Sequence, residues 1–237
     1  MRPQRRSLDL AFRPARAKLL PQPLGVVGII SPWNYPLYMA TSPLVGAVAA
    51  GNRVMVKPSE HTPRTSALMA KMIGGYFAAD EIAVIQGGRR VGEVFSCLPF
   101  DHLLYTGSAS VARRIMAAAA ENLTPVTLEL GGKSPAIISE DVDMGTAATS
   151  IVRGKLFNAG QTCVAPDYVL LPRSMRDRFI EAALAAAANF YPTVGDNNDY
   201  SAIVDQKQYD RIQTLLANAV ADGAKICTVG ELSLIHI

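Results

Sequence analysis

The sequence predicts an α/β protein, with a parallel sheet covered on both faces and a second αβ series after it. Short apolar runs of strand length recur, and each is followed by a stretch of helix length punctuated by glycine or proline. Strands that alternate with helices pair in parallel, and strands buried on both faces read as continuous apolar runs. Composition agrees, since 49% hydrophobic and 18% charged residues over 237 positions describe a folded chain with a core.

Residues 2–18 carry Arg2, Arg5, Arg6, Arg13, Arg16 and Lys18 against Asp9 alone. Pro3 and Pro14 interrupt any long amphipathic helix there, so the segment reads as a solvated basic stretch ahead of a transit peptide. Residues 19–52 hold no charge and are long enough to cross a bilayer. They also contain Pro21, Pro23, Pro32, Pro36, Pro43 and Asn34, a poor sequence for a lipid-facing helix. A buried strand at 24–30, an irregular loop and a buried helix at 37–50, stopped by Gly51, fit better. A short strand follows at 53–56, ending at Pro58. Pro63 then opens a helix to about residue 77, with proline in its favoured first turn. Residues 82–86 form a strand closed by Gly87-Gly88. Residues 102–105 form another, followed by Thr106-Gly107-Ser108 and a helix through the alanine run 117–120. Residues 125–130 are a strand ending in Gly131-Gly132, where a domain boundary falls. Beyond it the pattern predicts strands at 136–138, 168–171 and 225–228 and helices at 144–156, 175–189 and 206–222. Residues 232–237 stop abruptly, with an element barely begun.

A net charge of +3 is too small to argue for a nucleic-acid partner. Cys97, Cys163 and Cys227 are widely spaced, without a CxxC pair or a nearby histidine cluster. Neither a disulfide framework nor a metal site is expected, and a reducing cytoplasm is the natural compartment.

Five short segments carry chemistry. Gly160-Gln161-Thr162-Cys163 sets a cysteine after small polar residues, where a thiolate can meet an electrophile. The competing reading of any lone cysteine is a small buried hydrophobe. Cys97 and Cys227, set among Phe95, Leu98 and Ile226, take that reading. In Glu129-Leu130-Gly131-Gly132-Lys133 a glutamate leaves a buried strand before two glycines. Burial there would raise its pKa toward that of a general base, and a solvated strand-end carboxylate is the alternative. In Ser31-Pro32-Trp33-Asn34-Tyr35-Pro36 an asparagine fixed between prolines presents a rigid amide donor of the kind an oxyanion requires, or simply an Asx-turn. Lys57-Pro58-Ser59-Glu60 ends a strand, where an open α/β sheet binds a nucleotide ribose. Thr106-Gly107-Ser108 opens a helix after a strand, a place for a pyrophosphate. It is not a GxGxxG, and Ala112 stands where a later glycine is expected. His61, His102 and His236 lie outside these segments.

Taken in order, PWN, KPSE, the QGG turn, YTGS, LELGGKSP and GQTC make the sequence resemble the aldehyde dehydrogenase superfamily over residues 23–223. The wording at 122–129 and 163–168 is similar to its class 3 branch, and within that to the bacterial coniferyl aldehyde dehydrogenases. The resemblance implies an open parallel-sheet Rossmann-like cofactor domain over residues 1–131 and an α/β catalytic domain over 132–237, both incomplete. It implies that Cys163 is the nucleophile, Asn34 the oxyanion donor and Glu129 the base that hydrolyses a thioester. Trp33, Lys57, Glu60, Gly107 and Ser108 would hold the cofactor. Glu60 favours NAD and Lys57 tolerates NADP as well. The implied reaction is NAD(P)-dependent oxidation of a small-molecule aldehyde, such as coniferaldehyde or another aromatic or aliphatic aldehyde, to the acid. No metal and no nucleic acid take part, and the parent protein would be a homodimer. The chain would begin inside the cofactor domain and end before the family's Glu-Xaa-Phe-Gly-Pro region. The alternatives are a catalytically inactive, truncated nucleotide-binding fragment, an enzyme passing the thioester to coenzyme A, and, last, a Cys–His thiol hydrolase.

Overall fold

The computed structural model describes residues 3–194 and 197–228. Two compact units divide at Leu130/Gly131. His236 and the abrupt end at 232–237 lie outside the described residues.

The first unit opens with an exposed antiparallel pair, β1 (Gln4–Arg6) and β2 (Ala17–Leu19). The basic segment is therefore solvated as expected, but it is a hairpin rather than a structureless arm. The core of the unit is a five-stranded parallel sheet. Its strands are β3 (Val26–Ile30), β4 (Arg53–Lys57), β5 (Ile82–Val84), β6 (His102–Gly107) and β7 (Val126–Leu130), in the order β5-β4-β3-β6-β7. The helices α1 (Tyr38–Ala49), α2 (Pro63–Tyr76), α3 (Arg89–Ser96) and α4 (Ala109–Ala120) lie between them.

Strand alternation divides the core in two. Val27, Ile29, Val54 and Val56 pack with Ala40 and Leu44 of α1 and Met69 of α2. Ile30, Leu103 and Tyr105 pack with Phe95 of α3 and Ala112, Ile115 and Ala119 of α4. Each face of the sheet thus has its own pair of helices, which is why β3 and the centre of β4 read as apolar runs. Besides the β1–β2 pair, helix α3 is an element of the first unit that the sequence pattern did not predict. It has eight residues, opens on Gly88 and Arg89-Arg90, and lacks a side-chain cap, so neither length nor start signal announces it.

The chain seals the amino edge of the sheet with side chains. Asn52 Oδ1 accepts from the N–H groups of Leu24 and Gly25 at 2.6 and 3.1 Å, and its Nδ2 donates to Ala47 O at 2.9 Å. Asp101 Oδ2 accepts from Val26 N–H at 2.7 Å. That carboxylate lies so close to Gly25 (φ +131°) that a Cβ there would stand 2.7 Å from Asp101 Cγ.

The second unit pairs β8 (Ser134–Ile137) with β9 (Pro166–Leu170) in parallel. Helices α5 (Met144–Leu156) and α6 (Arg176–Phe190) cover the pair through Ile138, Met144, Met175, Ile151, Val169 and Phe179. Asp143 caps α5 by accepting from Thr146 N–H at 2.8 Å, and Asp205 caps α7 (Gln206–Ala221) by accepting from Gln208 N–H at 2.8 Å. The strand expected at 225–228 is not formed, because these residues have no ladder partner among the described residues. Among the described residues no helix is long and apolar enough to cross a membrane.

Candidate active site

The strand order places one reversal in the first unit. From β3 the chain crosses to β4 and then β5, and it returns to pair β6 on the other side of β3. Crossovers that leave in opposite directions open a crevice beyond the carboxyl ends of the two strands, where open α/β sheets bind ligands. Ser31, Trp33 and Asn34 follow β3, Gly107 ends its neighbour β6, and Ser108 follows it. Lys57 ends β4 with Glu60 in the turn after it, and Glu129 lies in β7 in register with Thr106. Seven of the eight residues singled out from the sequence thus share one edge of one sheet. Cys163 belongs to the second unit.

The turn after β6 is tightly built. Tyr105 is buried, and its hydroxyl donates to Ser108 O at 3.3 Å. Burial pushes the Tyr105 hydroxyl up from its ordinary pKa. The phenol lies against Gly107, where a Cβ would stand 2.6 Å from Tyr105 Cζ. Ser108 is the N-cap of α4 but makes no capping bond with its side chain, so its hydroxyl leaves the first-turn N–H groups of the helix uncapped. Ala112, where a glycine was expected, packs into the core at 2% exposure without disturbing the helix. At the same end of β3 and β6, the hydroxyls of Ser31 and Thr106 are buried without a hydrogen-bond partner. Buried polar groups are normally paired, so this end of the sheet holds unused hydrogen-bonding capacity.

Lys57 is 4% exposed, and its ammonium donates to Glu60 Oε2 at 2.7 Å. Burial pushes the Glu60 carboxyl up. The Lys57 hydrogen bond, the residue's own backbone N–H and the charges of Lys57 and His61 together more than offset that and hold it below the usual range. Ser66 Oγ donates to Ser59 O at 3.0 Å and fixes the KPSE turn onto α2. Trp33 and Asn34 are half-buried in the bend before α1.

Two expectations are corrected here. Glu129 is exposed, not buried, because β7 is the outer strand of the sheet. Cys97 and Cys227 are exposed as well, and not small core residues. Cys97 ends α3 at the surface, where its Sγ donates to Glu93 O at 3.4 Å.

Cys163 is exposed at the end of an unusual turn. After α5 the backbone runs through three left-handed residues, Asn158, Ala159 and Gly160, with φ of 53, 53 and 75°. Glycine accepts this conformation and asparagine tolerates it, whereas Ala159 is strained by about 1–2 kcal/mol. The turn redirects the chain from helix to β9 and leaves the thiol outside both. Beside it, Asp167 is paired with Lys133 and, at 3.7 Å, with Lys155. The Lys133 hydrogen bond holds the Asp167 carboxyl below its usual range, against a smaller effect of burial and with the charges of both lysines. Gln161 is the residue whose part the sequence did not disclose. It lies inside GQTC, but its long-range partners, at 202–204, carry no signature.

A doubly wound sheet with a helix start lacking a side-chain cap at its reversal, and a second unit that displays a thiol on a strained turn, define an open-sheet α/β protein with a candidate nucleophile. The chain belongs to the aldehyde dehydrogenase family, whose model matches residues 4–235. It is 53% identical over 226 residues to a probable coniferyl aldehyde dehydrogenase of Pseudomonas aeruginosa, covering 95% of this chain and 48% of that protein. Among solved structures, a substrate-bound state of Staphylococcus aureus AldH superposes with a TM-score of 0.91 at 39% identity, over 98% of this chain and 50% of that one. A Mycobacterium tuberculosis aldehyde dehydrogenase complexed with NAD+ gives 0.82 at 33% identity, over 95% and 47%. The chain spans about half the length of the curated relatives it matches.

Proposed function

We propose that the chain carries the nucleophile, the hydrolytic base and the nucleotide-holding residues of an enzyme that oxidises an aldehyde to its carboxylic acid through a thioester on Cys163. The supporting observation is the convergence of Trp33, Asn34, Lys57, Glu60, Gly107, Ser108 and Glu129 on one carboxyl edge, in a chain of this family. On this reading residues 1–131 are the cofactor domain and 132–237 the catalytic domain.

The Cys163 thiolate adds to the aldehyde carbon, and the carbonyl electron pair moves to oxygen. The Asn34 amide and the Cys163 backbone N–H donate to that oxyanion as it forms, in place of water. The residues of the first unit fit a dinucleotide. The start of α4 offers free N–H groups to a pyrophosphate, Gly107 leaves the backbone bare, and the unpaired Ser31 and Thr106 hydroxyls lie at the same end. NAD, when bound, supplies the acceptor for the hydride released as the carbonyl re-forms. Glu129 then takes a proton from a water whose oxygen attacks the thioester carbon, and the Cys163 thiolate leaves. An exposed carboxylate suits this step, because it meets water without rearrangement. Glu60 accepts from ribose hydroxyls and repels a 2′-phosphate, which ranks NAD above NADP. The name of the Pseudomonas relative makes coniferaldehyde the first substrate to try. The parent protein is read as a cytoplasmic homodimer.

The test is NADH formation from NAD with a panel of aldehydes that includes coniferaldehyde, for the wild-type chain and Cys163→Ser. Turnover present in the first and absent in the second is the expected result. Turnover that survives in the serine variant refutes the thioester. The half-length match favours one second reading, a nucleotide-binding piece without activity of its own, and silence in both proteins with retained NAD binding selects it.

A further inference from the structure

The left-handed run 158–160 needs something to hold it, and one side chain is placed to do so. Gln161 Nε2 donates to Asn158 O and to Ala202 O, both at 3.1 Å, and its Oε1 accepts from Val204 N–H at 3.0 Å. Toward Ala202 and Val204 the amide therefore acts as a peptide group does, donating to one residue and accepting from the next but one along the segment. Toward Asn158 it closes the turn, which the backbone closes again through Gln161 N–H to Asn158 O at 3.0 Å. Two residues further on is Cys163, and Ala165 N–H donates to Thr162 O at 3.2 Å to finish the bend. The segment 202–204 leads directly to the Asp205 cap of α7, so the tether reaches a fixed helix start.

We propose that Gln161 is a positioning residue for the Cys163 thiol, joining the nucleophile's turn to segment 202–204 and holding the left-handed run in the form that presents the sulfur. The proposal rests on the reading of Cys163 as nucleophile for its catalytic meaning, but not for its test. A side chain that merely filled space would be replaced by any residue of equal volume. This one is defined by donors and an acceptor on a planar amide, and methionine matches its size without them.

Wild type is compared with Gln161→Met, and with Gln161→Glu, which keeps the acceptor for Val204 N–H and loses the donor to Ala202 O. Two readings are taken on each. One is hydrogen exchange of the peptide containing Val204. The other is iodoacetamide alkylation of Cys163, with exposed Cys97 in the same molecules as reference. Gln161→Met is expected to speed exchange at Val204 about tenfold, the effect of one lost amide hydrogen bond on a local opening. It is also expected to shift the Cys163-to-Cys97 alkylation ratio by about threefold or more, because thiol reactivity follows its local setting. A ratio unchanged in both variants overturns the proposal even if exchange rises, since the tether then holds a loop without governing the thiol. If Gln161→Met does not fold, the glutamate variant decides: a shifted ratio in a folded chain supports the proposal, and an unshifted one overturns it. Alkylation reads the thiol and not turnover, so loss of the thioester reading in the aldehyde assay would be seen separately.

Discussion

Gly107→Ala tests how closely the strand end beside the proposed nucleotide site is built. The new methyl group would stand 2.6 Å from Tyr105 Cζ and closer still to the phenol oxygen. Tyr105 is 6% exposed and packed with Phe95, Ala112 and Ile115, so the ring cannot swing away freely. Overpacking of this kind costs about 1–3 kcal/mol. Displacing the phenol also breaks its 3.3 Å hydrogen bond to Ser108 O, worth about 0.5–1.5 kcal/mol. Urea denaturation should therefore give Gly107→Ala a loss of about 1.5–4.5 kcal/mol. Tyr105→Phe removes the nearest clashing atom, so the double variant should be more stable than the two single losses predict. The Michaelis constant for NAD should rise as well, because Ser108 follows the displaced turn. Strictly additive losses, or a Gly107→Ala loss under about 0.5 kcal/mol, would refute the contact described here.

Glu60 has a carboxyl pKa held below its unfolded value, so its contribution to stability is present above the ordinary carboxylate range and is lost as pH falls through the lowered folded value. Glu60→Gln should flatten that acid limb in melts taken across pH, and an unaltered limb would deny the Lys57–Glu60 pair any part in it. On the oxyanion role proposed for Asn34, Asn34→Ala should lower the single-turnover rate of NADH formation about 100- to 1,000-fold. Leu103 is fully buried against Gly28, Phe100 and Tyr105, and Leu103→Ala should cost about 2–5 kcal/mol in denaturant melts.

The strands of the five-stranded sheet were legible because a strand buried on both faces leaves an apolar run, as Val26–Ile30 and the centre of Arg53–Lys57 do. The helices after Pro63 and after Ser108 were legible from their start signals. Short polar elements were not: Gln4–Arg6 pairs with Ala17–Leu19 through backbone alone, and Arg89–Ser96 starts without a capping side chain. Exposure was misjudged where local neighbours stood in for tertiary position. Cys97 sits among apolar residues in sequence yet ends a helix at the surface, and Glu129 leaves an apolar strand that proves to be the outer one. The motif residues were individually visible. Their shared site followed only from the family resemblance, since it depends on strand order, and strand order is not written in any single segment. Gln161 shows the limit most clearly, because an amide that reaches 41 and 43 residues ahead has no local pattern to betray it.

The sealed amino edge has a consequence for how such a chain can change. Asn52 and Asp101 lock the entry of β3 from the end remote from the proposed chemistry, so strand register does not depend on what the loops at the other end contain. Those loops are therefore open to exchange. A change at half-buried Trp33 alters the mouth of that crevice while the locks at the far end of β3 keep the strands aligned, whereas Glu60, which pairs the buried Lys57, is tied to the scaffold itself.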